Sequence, residues 1–275
     1  MIDSIIQMFS YSFMVRAFIT GLFISACASI IGVSLVLKHY SMMGDGLSHV
    51  GFGTLALAVV LNQSPLYLSL PVVMLCAFLL LSLSKRSKVQ ADAAIALIST
   101  SALALGVMLL SVTTGMNTDV CNYLFGSILG MKVSDMYVTI FLCSVIIVLY
   151  ILFYPKIFAI TFDETFAKAS GLKVKYYNLA LALMSAVIIT LGMRMMGALL
   201  ISNLIVIPAL TAMRVCRSFK NVVLYSLAIS LFCFAAGLYV SYEFSTPTGA
   251  SIVLINVALF LVHVVIEKIR GSNAV

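Results

Sequence analysis

The chain has 275 residues, 63% of them hydrophobic and 9% charged. Soluble domains carry roughly 25% charged residues, so this composition excludes a soluble globular protein and indicates a polytopic membrane protein. The net charge of +7 comes from bases lying beside apolar segments, which is the positive-inside pattern and not a nucleic-acid-binding surface.

Spans of about 20 apolar residues can be marked off along the chain. They fall at approximately 14–37, 41–61, 66–84, 92–112, 136–154, 176–193, 196–213, 222–240 and 250–266. The first is long enough to cross and lacks a basic leader, so no cleavable signal peptide is expected. Lys38, the cluster Lys85-Arg86-Ser87-Lys88, the segment 156–175, Arg214/Arg217/Lys220 and Lys268/Arg270 fall on one side if the spans alternate. That puts the N-terminus outside and the C-terminus in the cytoplasm, with Arg194 the dissenter. Residues 123–130 are too short to cross and leave an eight-span alternative open. The expected fold is therefore an all-α helical bundle of eight or nine transmembrane helices, forming one membrane domain over 1–275 without a soluble domain or linker. No internal repeat is evident. The six cysteines are widely spaced without a CxxC, which suggests neither a disulfide framework nor a cysteine metal site.

The second span opens with Met43-Gly44-Asp45-Gly46-Leu47-Ser48-His49-Val50-Gly51. Asp45 and His49, four apart, share one helix face. If Lys38 marks the boundary, His49 lies roughly 16 Å deep, near the middle of the hydrocarbon core. An ionisable group there costs about 2.5–3.5 kcal/mol on insertion scales, which marks a candidate functional site. Carboxylate oxygen and imidazole nitrogen are common ligands of divalent transition metals. The bland alternatives are that Asp45 caps a helix starting later, or that the two side chains simply pair. Gly44, Gly46 and Gly51 would let helices, including two copies of this one, approach closely.

The segment from Thr161 to Lys175 is the longest polar interruption. Asp163 and Glu164 sit where a helix dipole favours acids, Gly171 closes the helix, and Phe162, Phe166 and Ala169 would share a face. It is either a solvated connector or a docking element for a cytoplasmic partner. Pro208 should kink its helix. Asn203 reads as a bond to a neighbouring helix, His263 as a bonded histidine, His39 as an interfacial side chain, and Asp92 as an N-cap. Met193, Met195 and Met196 read as packing.

On these stretches the chain resembles a known family. Asp45-Gly46-Leu47-Ser48-His49 is similar to the Asp-x-x-x-His motif of permease subunits in bacterial ABC importers for zinc, manganese and iron. Met116 to Gly126, Met196-Gly197-Ala198-Leu199-Leu200 with Val206-Ile207-Pro208-Ala209, and Thr246-Pro247-Thr248-Gly249-Ala250-Ser251 look like the same family, from about residue 14 to 266. The wording is nearest to zinc-type permeases of Gram-positive bacteria. The resemblance implies a type II importer permease in a bacterial cytoplasmic membrane. It would work as a homodimer on a cytoplasmic ATPase dimer, with an extracellular solute-binding protein delivering the ion. Zn2+ is the expected cargo and Mn2+ the next, with no intrinsic cofactor. The resemblance makes Asp45 and His49 the metal site, and places Asp163, Glu164, Phe166 and Gly171 in a coupling helix on the ATPase. The chain has no G-x-x-x-x-G-K-[ST] phosphate loop, so ATP chemistry would belong to the partner and the permease itself would not be an enzyme. One Asp–His pair supplies two ligands where zinc takes four, and a twofold dimer would double it. The runner-up is a secondary cation transporter using Asp45 and His49 as a proton relay.

Overall fold

The computed structural model describes residues 2–86, 91–113 and 133–272. All of its regular structure is helical: α1 (Ile2–Ser10), α2 (Ser12–Leu37), α3 (Ser41–Val60), α4 (Pro65–Arg86), α5 (Ala91–Thr113), α6 (Val133–Leu152), α7 (Tyr154–Phe162), α8 (Glu164–Ala169), α9 (Val174–Met196), α10 (Ala198–Val215), α11 (Phe219–Phe244) and α12 (Thr248–Ser272). Among the described residues nine helices, α2–α6 and α9–α12, are long and apolar enough to cross a membrane. That favours the nine-span reading. Residues 114–130, with Cys121 among them, and Ser87 and Lys88 lie outside the described residues.

Local chemistry sets the helix ends. His39 closes α2 in the left-handed region (φ 58°), with His39 N–H donating to Val36 O and Tyr40 N–H to Leu35 O. This is the paired bonding of a Schellman turn, here with histidine in the position glycine usually takes. Pro155 lies at the start of α7 and ends α6, since its nitrogen has no hydrogen to continue the ladder. Ser218 caps α11 through Asn221 N–H, and Ser245 ends it with φ 52°. Those caps lengthen the expected 222–240 span at both ends. α5 begins at Ala91, so Asp92 lies inside the first turn and is not its N-cap. α10 runs on through Pro208. A single residue joins α9 to α10: Gly197 has φ 87° and ψ 159°, a region essentially closed to residues with a Cβ.

Burial sorts the helices into centre and rim. The apolar windows of α2, α3 and α9 are 67–72% buried, against 22–28% for α4, α5, α6 and α12, which present their remaining surface as lipid-facing helices do. Glycines set the close contacts. A Cβ on Gly32 of α2 would strike the Ile205 carbonyl of α10, and one on Gly53 of α3 would lie 2.6 Å from the Ala102 carbonyl of α5. Ser230 donates to the Ser25 carbonyl at 3.0 Å, joining α11 to α2. Interhelical polar contacts of this kind stabilise membrane bundles by about 0.6–2 kcal/mol each.

Arg194, which breaks the charge rule, lies 3.0 Å from Asp135 near the start of α6. That pairing offsets the charge of Arg194, so the charge-rule expectation, with 156–175 cytoplasmic and 62–65 external, stands as a prediction. Single cysteines at the exposed Ser64 and Ser170, in a cysteine-less chain, should label from opposite sides of the membrane. Labelling of both from one side would contradict this orientation.

Candidate metal site and candidate coupling helix

α3 begins at Ser41, so Asp45 is its fifth residue and caps nothing. His49 follows one turn later, and its Nε2 lies 3.6 Å from Asp45 Oδ2. At that distance the two groups make a loose ion-pair contact on one helix face, just past hydrogen-bonding range. His49 is 21% exposed and Asp45 54%. The His49 Nδ1 is buried and has no hydrogen-bond partner among the described residues. The nitrogen turned toward the carboxylate is the other one, Nε2, so the ring is unpaired on its buried side and faces Asp45 on the opposite side.

Two hydroxyls complete the surroundings. Ser202 of α10 donates to Ser48 Oγ at 3.2 Å, and the same hydroxyl interacts with the Asp45 carboxylate. Ser48 itself donates to the Asp45 carbonyl at 2.7 Å. Sequence reasoning missed both serines. Ser48 lies inside the Asp-x-x-x-His stretch and Ser202 beside Asn203, so the polar composition was the only available signal. Among the described residues the buried Asn203 Oδ1 has no hydrogen-bond partner, so that atom gives no support to a bond with a neighbouring helix.

The glycines of this stretch serve the chain itself. A Cβ on Gly46 would lie 2.5 Å from Ile95 of α5, one on Gly51 2.5 Å from Met193 of α9, and Gly44 faces Ile205 of α10. Their expected use in bringing two copies of α3 together is therefore corrected. They clamp α3 inside its own bundle and leave the Met42/Asp45 edge open, with Met42 58% exposed. Among the described residues no cluster of three or more His, Cys, Asp or Glu forms within one chain. His263 is satisfied: Nδ1 donates to the Leu259 carbonyl and Nε2 accepts from Tyr225, both at 2.8 Å.

The second site is α8. Asp163 is its N-cap, accepting from Thr165 and Phe166 N–H at 2.8 and 2.9 Å. Gly171 (φ 81°) closes it, with Gly171 N–H donating to Lys168 O and Leu172 N–H to Ala167 O. Asp163 is extended, so Phe162 belongs to α7 and the expected single face through Phe162, Phe166 and Ala169 does not exist. Phe162 instead packs on Phe158 and Phe219, at 4.9 and 5.9 Å between centroids. Phe166 is 65% exposed. Lys38, read as marking a membrane boundary, has its side chain buried and lies 2.6 Å from Glu164. Stranding a buried charge by removing its partner typically costs about 3–5 kcal/mol.

Residues 10–267 match the ABC 3 transport family. The manganese import system permease protein ScaB of Streptococcus gordonii is 30% identical over 263 residues, covering 95% of this chain and 94% of its own. The high-affinity zinc uptake system membrane protein ZnuB of Haemophilus influenzae is 30% identical over 248 residues, covering 89% and 94%. PsaBC from Streptococcus pneumoniae, solved in complex with a Fab, superposes with a TM-score of 0.86 at 30% identity, over 96% of this chain and 95% of that one. With a family match over almost its whole length, the chain belongs to the ABC 3 transport family.

Proposed function

We propose that the chain is the membrane-spanning permease of an ATP-driven importer for a divalent transition metal ion, Zn2+ or Mn2+. Asp45 and His49 form a transient site shared between two copies. The observation that carries this reading is the open edge of α3. A carboxylate 54% exposed, with an imidazole nitrogen 3.6 Å from it, sits in a helix apolar enough to cross the membrane. Left against lipid, that edge costs free energy; covered by its own twofold copy, it supplies two carboxylates and two imidazoles. Carboxylate with imidazole suits both Mn2+ and Zn2+, and the relatives include permeases named for each. An extracellular binding protein delivers the ion. α8 docks on a cytoplasmic ATPase dimer, to which the ATP chemistry belongs. Imidazole ligates only when neutral, so loading weakens in acid. Family membership supports this reading over a secondary transporter driven by a proton relay.

The test is uptake by the purified permease–ATPase complex in proteoliposomes, with labelled zinc and labelled manganese in competition. ATP-dependent accumulation of one, suppressed by an excess of the same unlabelled ion, is expected. Accumulation without the ATPase, or of neither ion, would overturn the proposal.

A further inference from the structure

We infer that Lys38 is a positioning residue that hands movement of the cytoplasmic helix α8 to the metal helix α3 through its ion pair with Glu164. The inference rests on the proposed function for what α8 docks against, and on geometry for the link itself.

The Lys38 side chain is 4% exposed. Its Nζ donates to Glu164 Oε1 at 2.6 Å and to the Ile160 carbonyl at 2.9 Å, across 126 and 122 residues of sequence. The same Glu164 oxygen accepts from Asn178 Nδ2 at 2.8 Å. The Lys38–Glu164 pair thus gathers the α2–α3 corner, the end of α7, the first residue of α8 and the second turn of α9. Burial and the Glu164 charge both push the Tyr40 hydroxyl above its ordinary range, which places Tyr40 within electrostatic reach of the same group.

The corner beyond Lys38 has little slack. Lys38, His39 and Tyr40 each donate a backbone hydrogen bond into the last turn of α2, and Met43 N–H donates to Tyr40 O. α3 starts at Ser41, and Asp45 is one turn further on. A displacement of Lys38 therefore moves the base of α3 as a body. At the other end, α8 exposes Phe166 outward while Ala167 is fully buried, so Glu164 joins an exposed docking helix to the interior. A small cavity lined by Tyr40, Met43, Leu81, Asn178 and Leu181 lies beside the pair. If the contact only held the fold, an apolar pair of similar shape would serve without the desolvation cost of two charges.

The decisive experiment compares Lys38→Met with wild type in the full permease–ATPase complex, with Lys38→Arg as the conservative control. Metal uptake per ATP hydrolysed should fall about tenfold in Lys38→Met, within the ordinary range of coupling between distant sites, and recover in Lys38→Arg. Amide hydrogen exchange gives a readout independent of the cargo. Trapping the wild-type complex with ATP and vanadate should change exchange over both 163–171 and 40–50. In Lys38→Met the change over 40–50 should vanish while that over 163–171 remains. A nucleotide response over 40–50 that persists in the variant, or is missing from wild type, would overturn the link. So would an unchanged ratio of uptake to hydrolysis. If wild type transports neither zinc nor manganese, the functional reading fails and the exchange data still judge the link. Should Lys38→Met fail to assemble, Glu164→Gln keeps the shape and an acceptor oxygen and is held to the same outcomes.

Discussion

Asp45→Asn and His49→Ala are each expected to abolish metal uptake while leaving the permease assembled with its ATPase. Asn keeps the volume and one acceptor oxygen of Asp45 but removes the charge; Ala removes a nitrogen ligand outright. Changes that merely surround metal ligands cost about 10–100-fold, so loss of a ligand should exceed that range. Neither side chain holds the fold. The pair is separated by 3.6 Å, and the His49 Nδ1 bonds to nothing among the described residues. α3 is clamped by Gly46, Gly51 and Gly53 against α5 and α9, away from the Asp45 edge. Removing a carboxylate from an apolar setting relieves a cost, so detergent stability should hold or rise in Asp45→Asn. Uptake and complex assembly, measured on the same preparations, check this. If both variants assemble and accumulate metal at wild-type rates, the pair is structural. The site must also be loose, since a closed four-ligand cage would trap the ion it should pass on.

The spans were legible because twenty apolar residues in a row have few other uses, and the helices found differ from those expected mainly at their ends. Those ends depend on caps such as Ser218 and on Pro155, whose effects reach only a few residues. The Asp45–His49 pair was legible for a similar reason: its spacing is local and its chemistry is out of place in an apolar run. What the sequence hid were partnerships across distance. Lys38 read as a boundary marker until Glu164, 126 residues away, turned it into a buried ion pair. Arg194 contradicted the charge rule until Asp135 was found 3.0 Å from it. The glycines of α3 announced close approach without naming the neighbour, and the neighbours are α5, α9 and α10. Phe162 looked continuous with Phe166 because periodicity cannot register the extended Asp163 between them.

Phe166→Ala should uncouple ATP hydrolysis from uptake without disturbing insertion of the chain. α8 has six residues, too few to hold a helix in water, and survives through what fixes it. Those supports are the Asp163 cap, the Gly171 turn, the buried Ala167 and the Glu164–Lys38 pair. Phe166 is not among them. At 65% exposure it contributes little to the fold, yet it stands outward at the centre of α8. Phe162 is similarly exposed but stacks on Phe158 and Phe219, so its truncation would disturb the bundle as well. Aromatic anchors at interfaces typically contribute at least about 2 kcal/mol, and truncations of about 2–4 kcal/mol correspond to roughly 30- to 700-fold in affinity. The variant should therefore insert normally and retain its metal site, but bind the ATPase weakly and lose its stimulation by metal-loaded binding protein. Titration of ATPase against permease in nanodiscs reads the first effect, and hydrolysis with and without binding protein reads the second. Normal uptake together with normal stimulation would show α8 to be a connector only.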